Sequence, residues 1–247
     1  MELTAVITCK DRLFNARYCI ASIASCKPRP HVILVDFNST TSMRGLQRTF
    51  PWLNIVEVRD PKVNFHKARA LNIGIKRVQT EFTCLTDVDQ IFQPNFFNCV
   101  LSACREDRNF VMCDTHFLET PLGDPSPAAF DRATYFRLLE KAKKSKKRPH
   151  GEGCCHGVST EWLRSVRGLD ERYIGWGFED KDLVLRAKFS GYSIVSLSSK
   201  TSMVHLPHSR DKKYFNKKLR LRNERLYKEK RASKDVIANV NTKWGAV

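Results

Sequence analysis

Short apolar runs, each closing on a polar or acidic residue and separated by segments of helical periodicity, recur through the first half of this 247-residue chain. Leu3 to Thr8 is the first run, and Cys9-Lys10-Asp11-Arg12 is the polar turn after it. Leu13 to Cys26 carries Ala16, Cys19, Ile20 and Ile23 at helical spacing and stops at Pro28 and Pro30. His31 to Val35 is a β-branched run closing on Asp36, and Asn54 to Arg59 is a third strand. Phe65 to Val78 predicts a helix burying Ala68, Leu71, Ile75 and Val78, and Glu81 to Thr86 is a fourth strand that runs into Asp87-Val88-Asp89. Strand and helix alternating at this pitch predict an α/β fold with a mostly parallel central sheet flanked by helices. Ligands of such sheets sit beyond the carboxyl ends of the strands, so Asp11, Asp36, Asp87 and Asp89 are expected to gather there.

Further on, Phe96 to Arg105 reads as a helix and Phe110 to Asp114 as a strand. Residues 131–149 are expected to be a basic flexible segment, with helical continuation from Ala133 as the alternative. Ser159-Thr160-Glu161 is a helix start, and Glu179 to Phe189 is a helix terminated by Gly191. Tyr192 to Leu197 is a strand, and Lys217 to Lys234 is one long cationic helix.

Charge is placed unevenly. Residues 1–130 hold 15 Lys and Arg against 13 Asp and Glu, whereas residues 131–247 hold 28 against 13, so nearly all of the net +17 belongs to the second half. A surplus of that kind points to an anionic partner: nucleic acid, an anionic membrane surface or an acidic glycan. No stretch is long and apolar enough to span a bilayer, and the amino end has no basic, apolar leader pattern. The nine cysteines include no CxxC pair, which suits reduced thiols in a cytoplasmic setting; Cys154, Cys155 and His156 lack a fourth ligand for zinc.

Two acidic clusters carry the chemistry. Asp87 and Asp89, two apart in an extended segment, point the same way and offer hard oxygen ligands to Mg²⁺ or Mn²⁺; a solvated turn would use the same residues. In Gly175-Trp176-Gly177-Phe178-Glu179-Asp180-Lys181-Asp182, two glycines let the backbone turn beside an indole suited to a sugar ring, and three acids open a helix. Capping accounts for one of the three. His205, in Met203-Val204-His205-Leu206-Pro207-His208, is a competent third metal ligand or a plain surface histidine. Lys67 and Arg69 either face a phosphate or lie on the helix surface.

Thr86-Asp87-Val88-Asp89, Phe65 to Gly74 and Gly175 to Asp182, in that family's order of motifs, make the chain resemble glycosyltransferase family 2 and its relatives with the Rossmann-like GT-A fold, including β-1,4-galactosyltransferases and chondroitin polymerases. The resemblance spans roughly residues 3–208 and implies a catalytic domain over 1–208, with a nucleotide-sugar half at 1–114, an acceptor half at 150–208 and a basic helical extension at 209–247. It implies a nucleotide-diphosphate sugar donor, in the first place a UDP-sugar, and Mn²⁺ or Mg²⁺. By the same resemblance Asp36 binds the nucleotide base, with Thr8 and Asp11 or Arg12 near it. Lys67 takes the place of an arginine near the diphosphate, Asp87 and Val88 line the ribose and metal region, and Asp89 and His205, with Asp87, hold the metal. Trp176, Gly177 and Glu179 shape the acceptor site, Asp180 matches the general base, and Glu179 stands with it as a catalytic residue. Three departures stand out: Phe178 replaces a glycine common in the galactosyltransferase motif, Lys181 interrupts its acidic run, and Phe37 replaces a smaller polar residue.

The expected chemistry is a single inverting displacement onto a hydroxyl activated by Asp180. The basic second half, with Phe136, Tyr173, Trp176, Tyr214 and Phe215 interspersed, makes a hydroxylated base in DNA or a modified RNA the first acceptor considered. The alternative is a cell-envelope, capsule or lipid-linked glycan, with the enzyme held peripherally on an anionic membrane.

Overall fold

A computed structural model describes residues 2–123, 130–144, 155–209 and 216–247. Tyr214, Phe215 and the end of the basic segment, 145–149, lie outside the described residues.

The alternation read from the sequence becomes strands β1 (Leu3–Cys9), β2 (His31–Phe37), β3 (Asn54–Val58) and β4 (Phe82–Asp87), with helices α1 (Leu13–Ala24), α2 (Leu46–Thr49) and α3 (Lys67–Ile75) between them. β5 (Gln90–Phe92), α4 (Phe96–Cys104), β6 (Asn109–Met112), β7 (Thr115–Phe117), α5 (Arg132–Lys141) and β8 (Lys143–Lys144) follow. The second half adds β9 (Cys155–Ser159), α6 (Thr160–Ser165), α7 (Glu179–Phe189), β10 (Ser193–Ser196), β11 (Met203–His205) and α8 (Lys217–Ser233).

Seven strands form the main sheet in the order β10-β6-β9-β4-β1-β2-β3. β1 pairs in parallel with β2 and β4, β2 with β3, and β6 with β10, so the sheet is mostly parallel; β9 runs antiparallel between β4 and β6. Side chains alternate across it as strand geometry demands. Ala5 and Ile7 of β1 join Val32 and Leu34 of β2 on the face covered by α1 and α4. Val6, Ile33 and Val35 pack on the other face, under α3, α6 and α7.

β9 was not legible as a strand because it is short and holds Gly157. That glycine is there for closeness: a Cβ would lie 2.7 Å from Val100 Cγ1 of α4. The start of α6 agrees with the sequence, Ser159 accepting a hydrogen bond from Trp162 N. Helix α3 begins two residues later than expected because His66 caps it, its side chain accepting from Arg69 N.

Over 131–144 the structure has the helical alternative, followed by a short strand. Asp131 caps α5 by accepting from Thr134 N, and buried Tyr135 and Leu138 pack with Val204 and Leu206 in a small second core. Lys143 and Lys144 pair with Phe117 and His116 at the edge of a second sheet, ordered β5-β11-β7-β8.

The cationic helix α8 is tied to the domain rather than trailing from it. Asn223 and Lys230 are its buried residues, and Lys230 Nζ lies 3.6 Å from fully buried Asp170. After α8 the chain returns to the core: Ala238 N donates to Val166 O, Asn239 donates to Arg167 O and Leu169 O, and Trp244 joins the cluster under α3. No described helix is long and apolar enough to cross a membrane. The eight described cysteines are free thiols, mostly buried.

Candidate active site

Sheet register sets the floor of the site. Thr8 pairs with Val35 on one side and Asp87 on the other, and Cys9 pairs with Asp36, so Thr8, Asp36 and Asp87 end three adjacent parallel strands. Asp36 is fully buried; Arg59 Nη2 pairs with its Oδ2 at 3.1 Å while Oδ1 has no hydrogen-bond partner. Arg59, outside the residues singled out from sequence, is therefore the companion of the expected base-binding residue.

Asp11 serves the loop beside this floor. Its Oδ1 accepts from Thr40 N and Thr40 Oγ1, Lys10 Nζ reaches its Oδ2 at 2.6 Å, and its φ is +51°. Burial opposes ionisation, but these hydrogen bonds outweigh it and bring Asp11 down to about 2. Arg12 donates to Ser209 O.

Asp89 is the acidic member of a metal-competent set. β5 and β11 pair antiparallel with Gln90 opposite His205, and Leu206 N donates to Asp89 O at 2.8 Å, which brings His205 beside the carboxylate. His205 Nε2 is 3.7 Å from Asp89 Oδ1 and His208 Nε2 is 3.2 Å from Oδ2. One ligand atom from each of the three lies within 4.8 Å of the others. Burial pushes Asp89 up, but the hydrogen bond from His208 and the neighbouring His205 prevail and hold it at about 2. Buried Asp89 Oδ1 has no hydrogen-bond partner, and a carboxylate with two converging imidazoles is a donor set that fits a divalent metal ion. His208 was missed because its partnership depends on the β5–β11 pairing, which the sequence did not reveal.

Asp87, expected with the metal, turns instead to Lys67. Lys67 Nζ, at the start of α3, lies 3.2 Å from Asp87, 3.0 Å from Asp180 Oδ2 and 4.0 Å from Glu179 Oε1. His156 Nδ1 of β9 is 3.9 Å from Asp180 Oδ1. One ammonium thus serves three carboxylates in a nearly buried setting. Burial, reinforced by Asp89 and Asp180 and opposed by Lys67, raises Asp87 to about 6. Burial and then Asp180 raise Glu179 to about 8, against the pull of Lys67. Val88, between the two aspartates, is buried in the core. Arg69 faces away from this cluster, paired with Asp60 at 2.6 Å.

The acids of α7 divide by role. Asp182 is fully buried, pairs with Arg186 Nε at 2.8 Å and accepts from Tyr173 Oη, so it belongs to the core and not to the site. The loop before α7 turns through positive φ at Gly175 (72°), Gly177 (104°) and Phe178 (77°). Phe178 is held there by its surroundings: Tyr227 of α8 at 5.5 Å, and the cations of Lys181 and Arg220 at 5.9 and 5.8 Å. Asn223 of α8 donates to Ile174 O and Gly177 O at 3.0 and 3.1 Å, which fixes the loop that carries Trp176 and Gly177.

Residues 4–167, about two-thirds of the chain, match glycosyl transferase family 2. The chain belongs to that family. As a family 2 member it also matches, over residues 136–209, the N-terminal domain of galactosyltransferase. No curated protein matches the chain. Among solved structures it is similar to S. aureus TarS 1-349, at 14% identity and TM-score 0.62 over 83% of this chain and 60% of that one. The same protein in complex with UDP-GlcNAc matches at 14% identity and TM-score 0.62, covering 85% of this chain and 60% of that one. The mannosyltransferase PcManGT from Pyrobaculum calidifontis, in complex with GDP-Man and Mn2+, matches at 16% identity and TM-score 0.58, over 86% of this chain and 58% of that one. These likenesses establish the GT-A fold, and the chain spans about 60% of the length of the structures it resembles.

Proposed function

We propose that this family 2 chain is a metal-dependent, inverting glycosyltransferase that moves a sugar from a nucleotide-diphosphate sugar, in the first place a UDP-sugar, to a hydroxyl of a polyanionic acceptor. The observation that carries the reading is the convergence of two clusters at the strand ends, Asp89-His205-His208 and Lys67-Asp87-Glu179-Asp180. The neighbours solved with UDP-GlcNAc and with GDP-Man and Mn2+ support the donor class and the ion.

Asp36 offers a buried, unpartnered Oδ1 to a base N–H, in a floor shared with Thr8 and bordered by Arg12. Asp89, His205 and His208 would hold Mn²⁺ or Mg²⁺, which when bound supplies the Lewis acidity that neutralises charge on the departing diphosphate. Lys67 brings a fixed positive charge to the same leaving group. Asp180 takes the proton of the acceptor hydroxyl while its oxygen bonds to the anomeric carbon and the bond from that carbon to the diphosphate oxygen breaks. Glu179, whose carboxyl burial pushes up, flanks Asp180 and backs the acceptor site. Trp176 and Gly177 form the acceptor wall.

Hydrolysis of a panel of nucleotide sugars in Mn²⁺ tests the donor half of this reading. Asp180→Asn is expected to bind the donor as the wild type does and to lose transfer by at least about 10²-fold. Near-normal turnover would remove Asp180 as the base.

Both acceptor classes weighed from the sequence fit the charge. For DNA or RNA the test is a mass gain in hydroxymethylated duplex with salt-sensitive binding. The burial of Tyr173, with its hydroxyl on Asp182, takes away one of the rings that stacking on a base would use.

A further inference from the structure

Helix α8 sets a cation at the edge of the acceptor loop that the proposed reaction does not use. Arg220 is exposed in the first turns of α8, and its guanidinium carbon lies 5.7 Å from the centroid of Trp176 and 5.8 Å from that of Phe178. Phe178 precedes Asp180 by two residues at the start of α7, so Arg220 borders the loop that leads into the proposed base.

Its position is fixed at the root. Asn223, one helical turn further on, holds Ile174 O and Gly177 O, and Tyr227 holds the Phe178 ring. A Cβ on Gly177 would lie 4.0 Å from Arg220 Cγ, so the stem of the arginine runs along the loop. Glu224, the first acid along the helix, is engaged by Lys228 at 3.1 Å. Among the described residues Arg220 has aromatic partners, not a carboxylate.

A guanidinium associated with ring faces keeps in-plane N–H donors for an oxyanion, and its partial dehydration strengthens such a pair. A sugar ring carrying an acidic group can meet Trp176 and Arg220 together. We infer that Arg220 reads a carboxylate, sulfate or phosphate on the acceptor sugar itself, so that the acceptor is an acidic glycan. This rests on the reading of the chain as a glycosyltransferase with Asp180 as its base.

The test follows nucleoside diphosphate release from the Mn²⁺-loaded full chain with UDP-glucose, UDP-galactose, UDP-GlcNAc and GDP-mannose. Paired acceptors differ only in charge: glucose and glucuronate, galactose and galacturonate, GlcNAc and its 6-sulfate and 6-phosphate. A hydroxymethylated oligonucleotide is the outgroup. The acidic member of a productive pair is expected to show a KM at least about tenfold below its neutral partner, the range of one charge-assisted hydrogen bond. Arg220→Ala brings the KM values of the acidic and neutral partners to within about threefold of each other, and UDP binding with acceptor-free donor hydrolysis reports separately on the donor site. Arg220→Lys retains part of the preference, which a purely structural role of the side chain would not produce, and Arg231→Ala at the far end of α8 retains all of it. Equal KM values for charged and neutral partners, an intact preference in Arg220→Ala, or transfer to the oligonucleotide with the acidic sugars inert would each overturn the inference while donor hydrolysis persists. Loss of donor hydrolysis with every nucleotide sugar would overturn the glycosyltransferase reading and this one with it.

Discussion

The left-handed conformation of Phe178 (φ 77°) yields a prediction whose two arms can be separated. An L-residue in that region costs about 1–2 kcal/mol and glycine almost nothing. The ring is opposed by Tyr227 at 5.5 Å, worth about 0.5–1.5 kcal/mol. The cations of Arg220 and Lys181, at 5.8 and 5.9 Å, add about 0.5–1 kcal/mol each if fully effective. Phe178→Ala loses the ring contacts and keeps the strain; Phe178→Gly loses the same contacts and releases it. Glycine's larger loss of chain entropy offsets part of the relief, which leaves the glycine variant ahead of the alanine variant by about 1 kcal/mol. In a chain of 247 residues that corresponds to a Tm roughly 2–4 °C higher. Urea unfolding and thermal melts of the two variants measure the difference directly. An alanine variant as stable as the glycine variant, or more so, would refute the strain. It would also remove the reason for thinking that α8 is what permits phenylalanine where the galactosyltransferases commonly have glycine.

His208→Ala should weaken Mn²⁺ binding by at least about tenfold in a calorimetric titration, while Asp87→Asn, whose carboxylate faces Lys67, should change it little; the reverse order would return Asp87 to the ligand set. Arg186→Met strands Asp182 in the core and should cost about 3–5 kcal/mol by urea unfolding, with Asp182→Leu added to it recovering much of the loss. His66 accepts at Nδ1 from Arg69 N and so donates from Nε2 to Glu171 O, and burial lowers its pKa below the usual 6.5. The unfolded chain therefore takes up the proton first, and this contribution to stability is complete above about pH 6.5 and declines as pH falls below it. Asn in its place keeps a capping acceptor without titrating, so the wild type should lose more stability than His66→Asn between pH 7.5 and 5.5; parallel losses would exclude His66.

The strands that floor the site were legible because β-branched runs closing on Asp36 and Asp87 report both burial and the sheet's carboxyl edge in a local window. Helix α7 was legible between Glu179 and its terminator Gly191, and its Leu183, Val184 and Ala187 meet the core. What escaped depends on partners far apart in the chain. His208 joins Asp89 only through β5 and β11, three residues each. Arg59 covers Asp36 from the neighbouring strand, and Asp182, indistinguishable in sequence from Asp180, is claimed by Arg186 because its position on α7 faces inward. The charge surplus was visible, but not that Asn223 and Lys230 would anchor its helix.

The place of β9 bears on how the chain reaches this state. β4 is complete at Asp87, yet the strand that covers its far side does not begin until Cys155. At synthesis rates of about 5–20 residues per second the interval lasts several seconds. During it, β1, β2 and β4 can pair while one flank of β4 displays an open, apolar hydrogen-bonding edge, the kind of template on which nascent chains associate. Destabilising changes confined to 155–159 should therefore lower the yield of soluble protein by more than they lower the melting temperature of what does fold.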